Sequence, residues 1–369
     1  MSIRVILCTP YIVSESFQRG GIQIWGATIL QYFQSKTPTE IEIIPVSLDR
    51  SRRSSNGFIS RCSSGFFELL APLWTIIRLI KRKEGTILHV CSSGSLGLIR
   101  DYLLSLYSRA HGVKMVLHLH FGRIPTISQK NSFEWRFLKR IIQKVAKVIV
   151  MDQKSKNSLE AEGFTNVSYL PNPISQRVLN RIASISSRYV RRNKRVLYVG
   201  HLYKEKGIYE LVEACSTIPD VELIMAGHSS DEVKMHLESL SNRLNFGGLV
   251  FLGEITHDEV IEQMLQTMVF ALPSYTEGFP NVILESMACG CSIVGTSVGA
   301  IPEMLDIGSN QECGICVPPR SVSELRCALM KGLTPEVALL NSRNAKRKVC
   351  DHYSIDIVAQ ALLHIWQDL

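Results

Sequence analysis

Two tandem α/β domains, each built on a doubly wound parallel sheet, are what the sequence predicts, and three observations carry that expectation. Runs rich in Val, Ile and Leu recur along the chain, each followed by a helical pattern, which is the rhythm of buried parallel strands under covering helices. The alternation appears before about residue 170 and again after about residue 195. Between the two sets, Pro171-Asn172-Pro173 denies hydrogen bonds to helix and sheet alike, and 369 residues are enough for two ordinary cores.

Taken in order, the first strands are expected at residues 5–8, 41–46, 86–90, 114–118 and 147–151, and the second set at 195–199, 222–226, 249–252, 268–272 and 292–295. Helical patterns follow them, beginning with the apolar stretch 22–33 behind Gly20-Gly21. The polar stretch 186–194 reads as a connector between the domains. No fixed-period repeat is visible, which argues against a solenoid. Ligands of two such sheets are expected in a cleft outside the carboxyl ends of the strands, with the domains facing across it.

Composition narrows the function classes. With 46% hydrophobic and 20% charged residues, a disordered or fibrous chain is excluded. Met1-Ser2-Ile3-Arg4-Val5 runs straight into an apolar string, so no secretory signal is expected. The longest greasy stretch, 66–80, has 15 residues interrupted by Glu68, Pro72 and Arg78, too short and too charged to span a bilayer. Ten cysteines in such a chain are expected to be free thiols of a reducing cytoplasm. Cys313-x-x-Cys316 lacks a second pair at zinc spacing, and Cys289-x-Cys291 is too tight for a zinc knuckle.

The net charge of +8 is unevenly placed. Residues 1–185 hold 25 Lys+Arg against 11 Asp+Glu, a net of +14, and residues 186–369 hold 16 against 22, a net of −6. In the basic half, Arg50, Arg52 and Arg53, then Arg78, Lys81, Arg82 and Lys83, then Arg136, Lys139, Arg140 and Lys144 lie beside Phe66, Phe67, Trp74, Trp135 and Phe137. Basic residues beside exposed apolar ones suit peripheral contact with an anionic membrane, or a lipid-diphosphate acceptor. A core helix over 66–80 with solvated basic ends fits the same residues equally well. No nucleic-acid-binding module is visible, so nucleic acid is not an expected partner.

The most informative string runs from Pro273 to Gly290: a strand end, a glycine turn, then a helix with Pro280 near its start and Gly290 as its stop. A helix start aimed at a cleft offers N–H groups and a positive dipole end to an anionic ligand. Glu277 precedes that helix and Glu285 lies within it. Singly, they read as a turn residue and a solvated helix residue; within the string they read as two carboxylates addressing different parts of one ligand. His120 ends the strand 115–119, whereas His118 points to the same face but deeper and reads as a core histidine.

That string, a glutamate, seven residues and a second glutamate in EGFPNVILESMACG, resembles the signature of the retaining family-four glycosyltransferases (glycosyl transferases group 1). The resemblance extends through Arg19-Gly20-Gly21, Leu117 to Gly122, Leu170 to Pro173, Tyr198 to Gly207, Met225-Ala226-Gly227, Phe251-Leu252-Gly253 and Val298 to Glu303. It implies the GT-B fold. Residues 1–174 would form an acceptor-binding Rossmann-like domain, onto which a helix at 353–369 crosses back, and 175–352 a donor-binding one.

The resemblance also implies roles. Glu277 would contact donor-sugar hydroxyls near the reaction centre, with His120 beside that centre, and Glu285 would hold the ribose hydroxyls; ionised carboxylates suit both tasks. The turn at Gly278 and the backbone of Phe279, Pro280, Asn281 and Val282 would meet sugar and phosphate. Lys206 would neutralise the diphosphate. His201 stands where the family has an arginine; neutral, it donates one hydrogen bond but lacks the permanent charge and fork of a guanidinium. Gly20 and Gly21 would let backbone amides approach the diphosphate.

The implied reaction moves a sugar, with retention, from a nucleotide-diphosphate sugar, UDP-linked by preference, to a glycan or lipid-linked acceptor in surface polysaccharide or glycoconjugate synthesis. No Asp-x-Asp occurs. The diphosphate is therefore expected to be met by Lys206, His201 and the helix dipole, with no metal or other cofactor. A nucleoside diphosphate leaves readily, so Glu277 and Glu285 are not expected to act as a glycosidase acid and base. Two alternatives stand beside this reading: a UDP-sugar epimerase of the same fold, which needs no acceptor, and a catalytically silent nucleotide-sugar-binding homologue, for which His201 is the argument. The expected location is the cytoplasm, or peripherally on the inner face of the cytoplasmic membrane.

Overall fold

A computed structural model describes residues 3–10, 21–36, 41–48, 73–80 and 85–369. The chain divides into two compact units, Met1–Pro173 together with Ile355–Leu369, and Ile174–Ser354. The polar stretch 186–194 lies inside the second unit, contrary to its reading as an inter-domain connector. It holds a single 3₁₀ turn, Ser186–Arg188, after the helix Gln176–Ile185, and its last three residues already belong to the next strand.

The first unit is built on six parallel strands in the order β2-β1-β3-β4-β5-β6. They are β1 (Ile3–Thr9), β2 (Ile41–Ser47), β3 (Thr86–Ser92), β4 (Lys114–Leu119), β5 (Lys147–Val150) and β6 (Val167–Tyr169). Every residue of β3 is buried, because helices cover both faces of the sheet. Alternate residues of β1 serve opposite cores, as the two-residue strand period requires. Val5 and Leu7 join Trp25, Ile29 and Phe33 of the helix Gly21–Ser35 and Val358, Leu362 and Trp366 of the helix Ile355–Gln367. Ile6 and Cys8 join Ile76 and Ile80 of the helix at 73–80, Leu98 and Leu104 of the helix Gly97–Ala110, and Trp135, Leu138 and Ile141 of the helix Phe133–Ile142.

The last of these helices shows how its sequence folds. Ser132 is extended and its side chain accepts the Trp135 N–H, and Glu134 in the first turn and Lys139 and Arg140 in the last match the helix dipole. From that cap, Trp135, Leu138, Ile141 and Ile142 turn inward, and Trp135 is fully buried. Its expected place among exposed aromatics is thus corrected: Phe133, two residues earlier, takes that position. Phe66, Phe67, Arg50, Arg52, Arg53, Lys81, Arg82 and Lys83 lie outside the described residues.

The second unit repeats the plan with β7 (Arg192–Val199), β8 (Glu222–Ala226), β9 (Leu249–Gly253), β10 (Thr267–Leu272), β11 (Ser292–Thr296) and β12 (Gly314–Val317). Their order is β12-β11-β10-β7-β8-β9, again all parallel. The strands β6 and β12, which the apolar runs do not announce, are edge strands of three and four residues. The nine described cysteines form no disulfide. Among the described residues no helix is long and apolar enough to cross a membrane.

Candidate active site

In the second sheet the chain runs outward from β7 to β8 and β9, then returns to place β10 on the other side of β7. The loops at the carboxyl ends of β7 and β10 therefore diverge and leave a crevice, the usual ligand position in an open α/β sheet. Gly200 to Gly207 follows β7, and Pro273 to Pro280 follows β10.

Backbone contacts clamp the second loop on both sides. Tyr275 N–H donates to the Glu205 carbonyl at 2.8 Å, and Ala300 N–H donates to the Gly278 carbonyl at 2.9 Å. Two glycines make these approaches feasible. Gly207 has φ +69° with the Pro273 carbonyl oxygen 2.1 Å from where a Cβ would stand, and Gly299 has φ +54° with the Glu277 carbonyl oxygen 2.3 Å from its own. Lys206, ending the 3₁₀ turn Lys204–Lys206, is thereby brought against Glu277, 71 residues away, and its ammonium donates to Glu277 Oε1 at 2.6 Å.

The helix Asn281–Cys289 begins directly after this loop, with Pro280 at its N-cap and Gly290 in the left-handed conformation at its end. Its buried face of Ile283, Leu284 and Met287 leaves Glu285 at the partly exposed edge. Glu285 Oε1 lies 2.9 Å from Nε2 of His257. That hydrogen bond raises the His257 pKa above the ordinary histidine value, against the opposing effect of burial. His257 is the first residue of the helix His257–Gln266, which is fixed by a capping box between Thr256 and Glu259. Phe279 is buried with its ring edge-on to Tyr353, centroids 5.8 Å apart, while Val282 stays partly open at the helix start.

Lys206, Glu277, Gly278, Phe279, Pro280, Asn281, Val282 and Glu285 thus converge on one end of the second sheet. His201 lies on the loop after β7 with its side chain exposed, and its carbonyl accepts from the Tyr198 hydroxyl at 2.8 Å. His257 is the residue of this site that the sequence reading missed. The Thr256-x-x-Glu259 capping pattern does signal that a helix starts there, but not what faces it.

Gly21 and His120 belong to the first unit, and Gly20 lies outside the described residues. Gly21 opens the helix Gly21–Ser35. His120 directly follows β4 and stands in an aromatic cluster, 4.0 Å from His118 and 5.1 Å from Trp25 between ring centroids. Burial lowers its pKa to about 3, so it is a neutral imidazole at physiological pH. Beneath it the tautomers are set in sequence. Trp366 Nε1 can only donate, and it donates to His89 Nδ1 at 3.0 Å. His89 Nε2 must then carry the proton it shares with His118 Nδ1 at 3.3 Å, and His118 carries its own proton on Nε2. Among the described residues, the Nε2 atoms of His118 and His120 and the Trp25 indole N–H are buried without a partner.

His89, Cys91 and His118 place one potential ligand atom each within 4.8 Å of one another. Both nitrogens of His89 and Nδ1 of His118 are already spent on hydrogen bonds, and burial holds the Cys91 thiol protonated. The cluster is held together by its own hydrogen bonds, with only His118 Nε2 left over, and His118 is the core histidine its strand position implies.

Two parallel six-stranded sheets with the site at a strand-order reversal define a GT-B-type α/β protein. The model of the glycosyl transferases group 1 family matches residues 193–334, a stretch that lies within the second unit. Among curated relatives, the putative teichuronic acid biosynthesis glycosyltransferase TuaC of Bacillus subtilis is 24% identical over 236 residues, covering 62% of this chain and 57% of its own. The chain spans about half the length of the first curated relatives it matches. Solved structures extend the likeness to the whole chain at the level of the fold. Sucrose-phosphate synthase of Thermosynechococcus elongatus has a TM-score of 0.74 at 18% identity, over 99% of this chain and 98% of that one. HepE of Anabaena in complex with UDP has a TM-score of 0.73 at 16% identity, over 100% of each.

Proposed function

We propose that the chain is a retaining glycosyltransferase that takes a sugar from a nucleoside-diphosphate sugar, UDP-linked by preference, and passes it to a glycan or lipid-linked acceptor without a divalent metal. The observation that carries this reading is the Lys206–Glu277 contact at the foot of the Asn281–Cys289 helix. One cation, one carboxylate and one helix N-terminus stand together where a diphosphate sugar needs charge neutralisation and hydroxyl acceptors at once. Glu285, about one helical turn in from the start of that helix and oriented by His257, suits the ribose hydroxyls. His120, neutral and on the first unit, suits a hydrogen bond to the transferred sugar. The UDP complex of HepE and the teichuronic acid biosynthesis name of TuaC favour a UDP-sugar and a polysaccharide context.

The test is a panel of UDP-, GDP- and ADP-sugars assayed for nucleotide release with and without EDTA, with the anomeric product read by NMR. UDP release that is insensitive to EDTA and gives the retained anomer is the expected result. Release that requires Mg²⁺, or an inverted product, would overturn the proposal. Isomerisation of the donor sugar without any acceptor would identify an epimerase instead.

A further inference from the structure

The helix Gly97–Ala110 presents an apolar stripe to solvent. It packs Leu98 and Leu104 into the first unit's core, and it leaves Leu96, Ile99, Leu103 and Leu106 exposed by 66, 42, 40 and 41%. Their spacing of three and four residues puts them on one side of the helix, the side that a surface helix gives to charged residues. The neighbouring helix Phe133–Ile142 adds Phe133, 79% exposed, whose ring lies parallel to Phe137 with centroids 6.4 Å apart. Phe137 meets Tyr102 of the first helix at 5.3 Å, so the apolar surface continues from one helix to the other.

The charge around this surface is mostly positive, although Lys139 of the second helix is paired with Glu162 at 3.3 Å. Residues 85–151, all of them described, contain ten Lys and Arg against two carboxylates. Asp101 is paired with Arg100 and Glu134 with Arg123, so neither carboxylate offsets the remaining cations. Arg109 ends the first helix, Arg136 and Arg140 are exposed on the second, and the Lys144 ammonium lies 5.8 Å from the Tyr102 ring. A second copy of this chain is a poor occupant, since a two-fold contact would set these cations against their own copies. An anionic lipid surface meets both features at once.

We propose that this face docks the protein on an anionic bilayer, with the leucine stripe and Phe133 entering the headgroup region and the surrounding Lys and Arg meeting lipid phosphates. The proposal goes beyond the donor-site reading and does not depend on it. Of the membrane expectation it keeps Arg136, Arg140 and Phe137, and it adds the helix Gly97–Ala110.

The test is co-sedimentation of the full chain with phosphatidylcholine vesicles, with and without one-third phosphatidylglycerol. Binding to the anionic vesicles only, weakened by salt, is expected. The double variants Leu103→Glu/Leu106→Glu and Arg136→Glu/Arg140→Glu are each expected to lower it by about tenfold or more. All four side chains are solvent-exposed, so melting curves and UDP affinity should be unchanged, which separates this result from any failure of the donor site. The proposal is overturned if the wild type stays in the supernatant at low salt, or if either double variant binds as the wild type does. It is overturned equally if light scattering shows Leu103→Glu/Leu106→Glu turning a dimer into a monomer.

Discussion

Replacing Glu277 by Gln is expected to tighten UDP binding while stopping sugar transfer. The Lys206 ammonium spends one of its three donors on Glu277 at 2.6 Å, and the two side chains are only 20 and 12% exposed. A charge-assisted hydrogen bond of this kind contributes about 1.5–3 kcal/mol, and residual solvent screening trims it to about 1–2 kcal/mol. A diphosphate that recruits Lys206 must break or share that bond. Glu277→Gln keeps the shape of the side chain and removes the competing charge, so UDP should bind about 5- to 30-fold more tightly. UDP carries no donor sugar and so does not miss the carboxylate, whereas turnover of a UDP-sugar should fall by about 100-fold or more. Lys206→Met should act in the opposite direction on UDP. Titration calorimetry at fixed ionic strength reads all three proteins. Unchanged or weaker UDP affinity in Glu277→Gln refutes the competition, and unchanged affinity in Lys206→Met removes Lys206 from the diphosphate site.

Three further outcomes follow from the same structure. His257, with its pKa raised in the folded state, stabilises the protein as an imidazolium, fully below the unfolded histidine value near 6.5 and no longer once pH exceeds the folded one. His257→Ala should therefore cost stability at pH 6 and little at pH 9, by about 0.5 kcal/mol for a side chain this exposed, read from melting curves across that range. Gly207→Ala forces a Cβ against the Pro273 carbonyl at positive φ, so about 2–4 kcal/mol should be lost in urea unfolding, with UDP affinity falling as Lys206 is displaced. Trp366→Phe leaves His89 Nδ1 buried without its donor, which should cost about 1–3 kcal/mol beyond the lost volume and should scramble the His118 tautomer seen by nitrogen NMR.

The inner strands are legible in the sequence because burial on both faces demands Val, Ile and Leu, and the edge strands β2 and β9, though only partly buried, keep apolar runs long enough to read. The other two edge strands escape notice because Val167–Tyr169 and Gly314–Val317, of three and four residues, are too short for such a run to stand out. Trp135 was misplaced because a basic flank says nothing about which side of a helix faces in; the Ser132 cap decides that, and it turns Phe133 out and Trp135 under. The string from Glu277 to Gly290 carries its own turn, cap and stop, so that part of the site reads directly. The partners of its carboxylates do not. Lys206 is 71 residues from Glu277 and His257 is 28 from Glu285, and only the return of β10 beside β7 brings these segments to one place. The histidine cluster beside His120 is hidden for the same reason, since His89 and Trp366 are 277 residues apart.

The helix Ile355–Gln367 belongs to the first unit although it follows the whole of the second. On a ribosome, one side of the first sheet would emerge with Val5, Leu7, Trp25 and Phe33 in place but without Val358, Leu362 and Trp366 to cover them. Residues 174–354 must be made in the interval, roughly 10 to 35 s at about 5–20 residues per second. The second unit can therefore finish folding before the first does. Throughout that wait the nascent chain shows an open apolar sheet face, which only the helix Ile355–Gln367 can close.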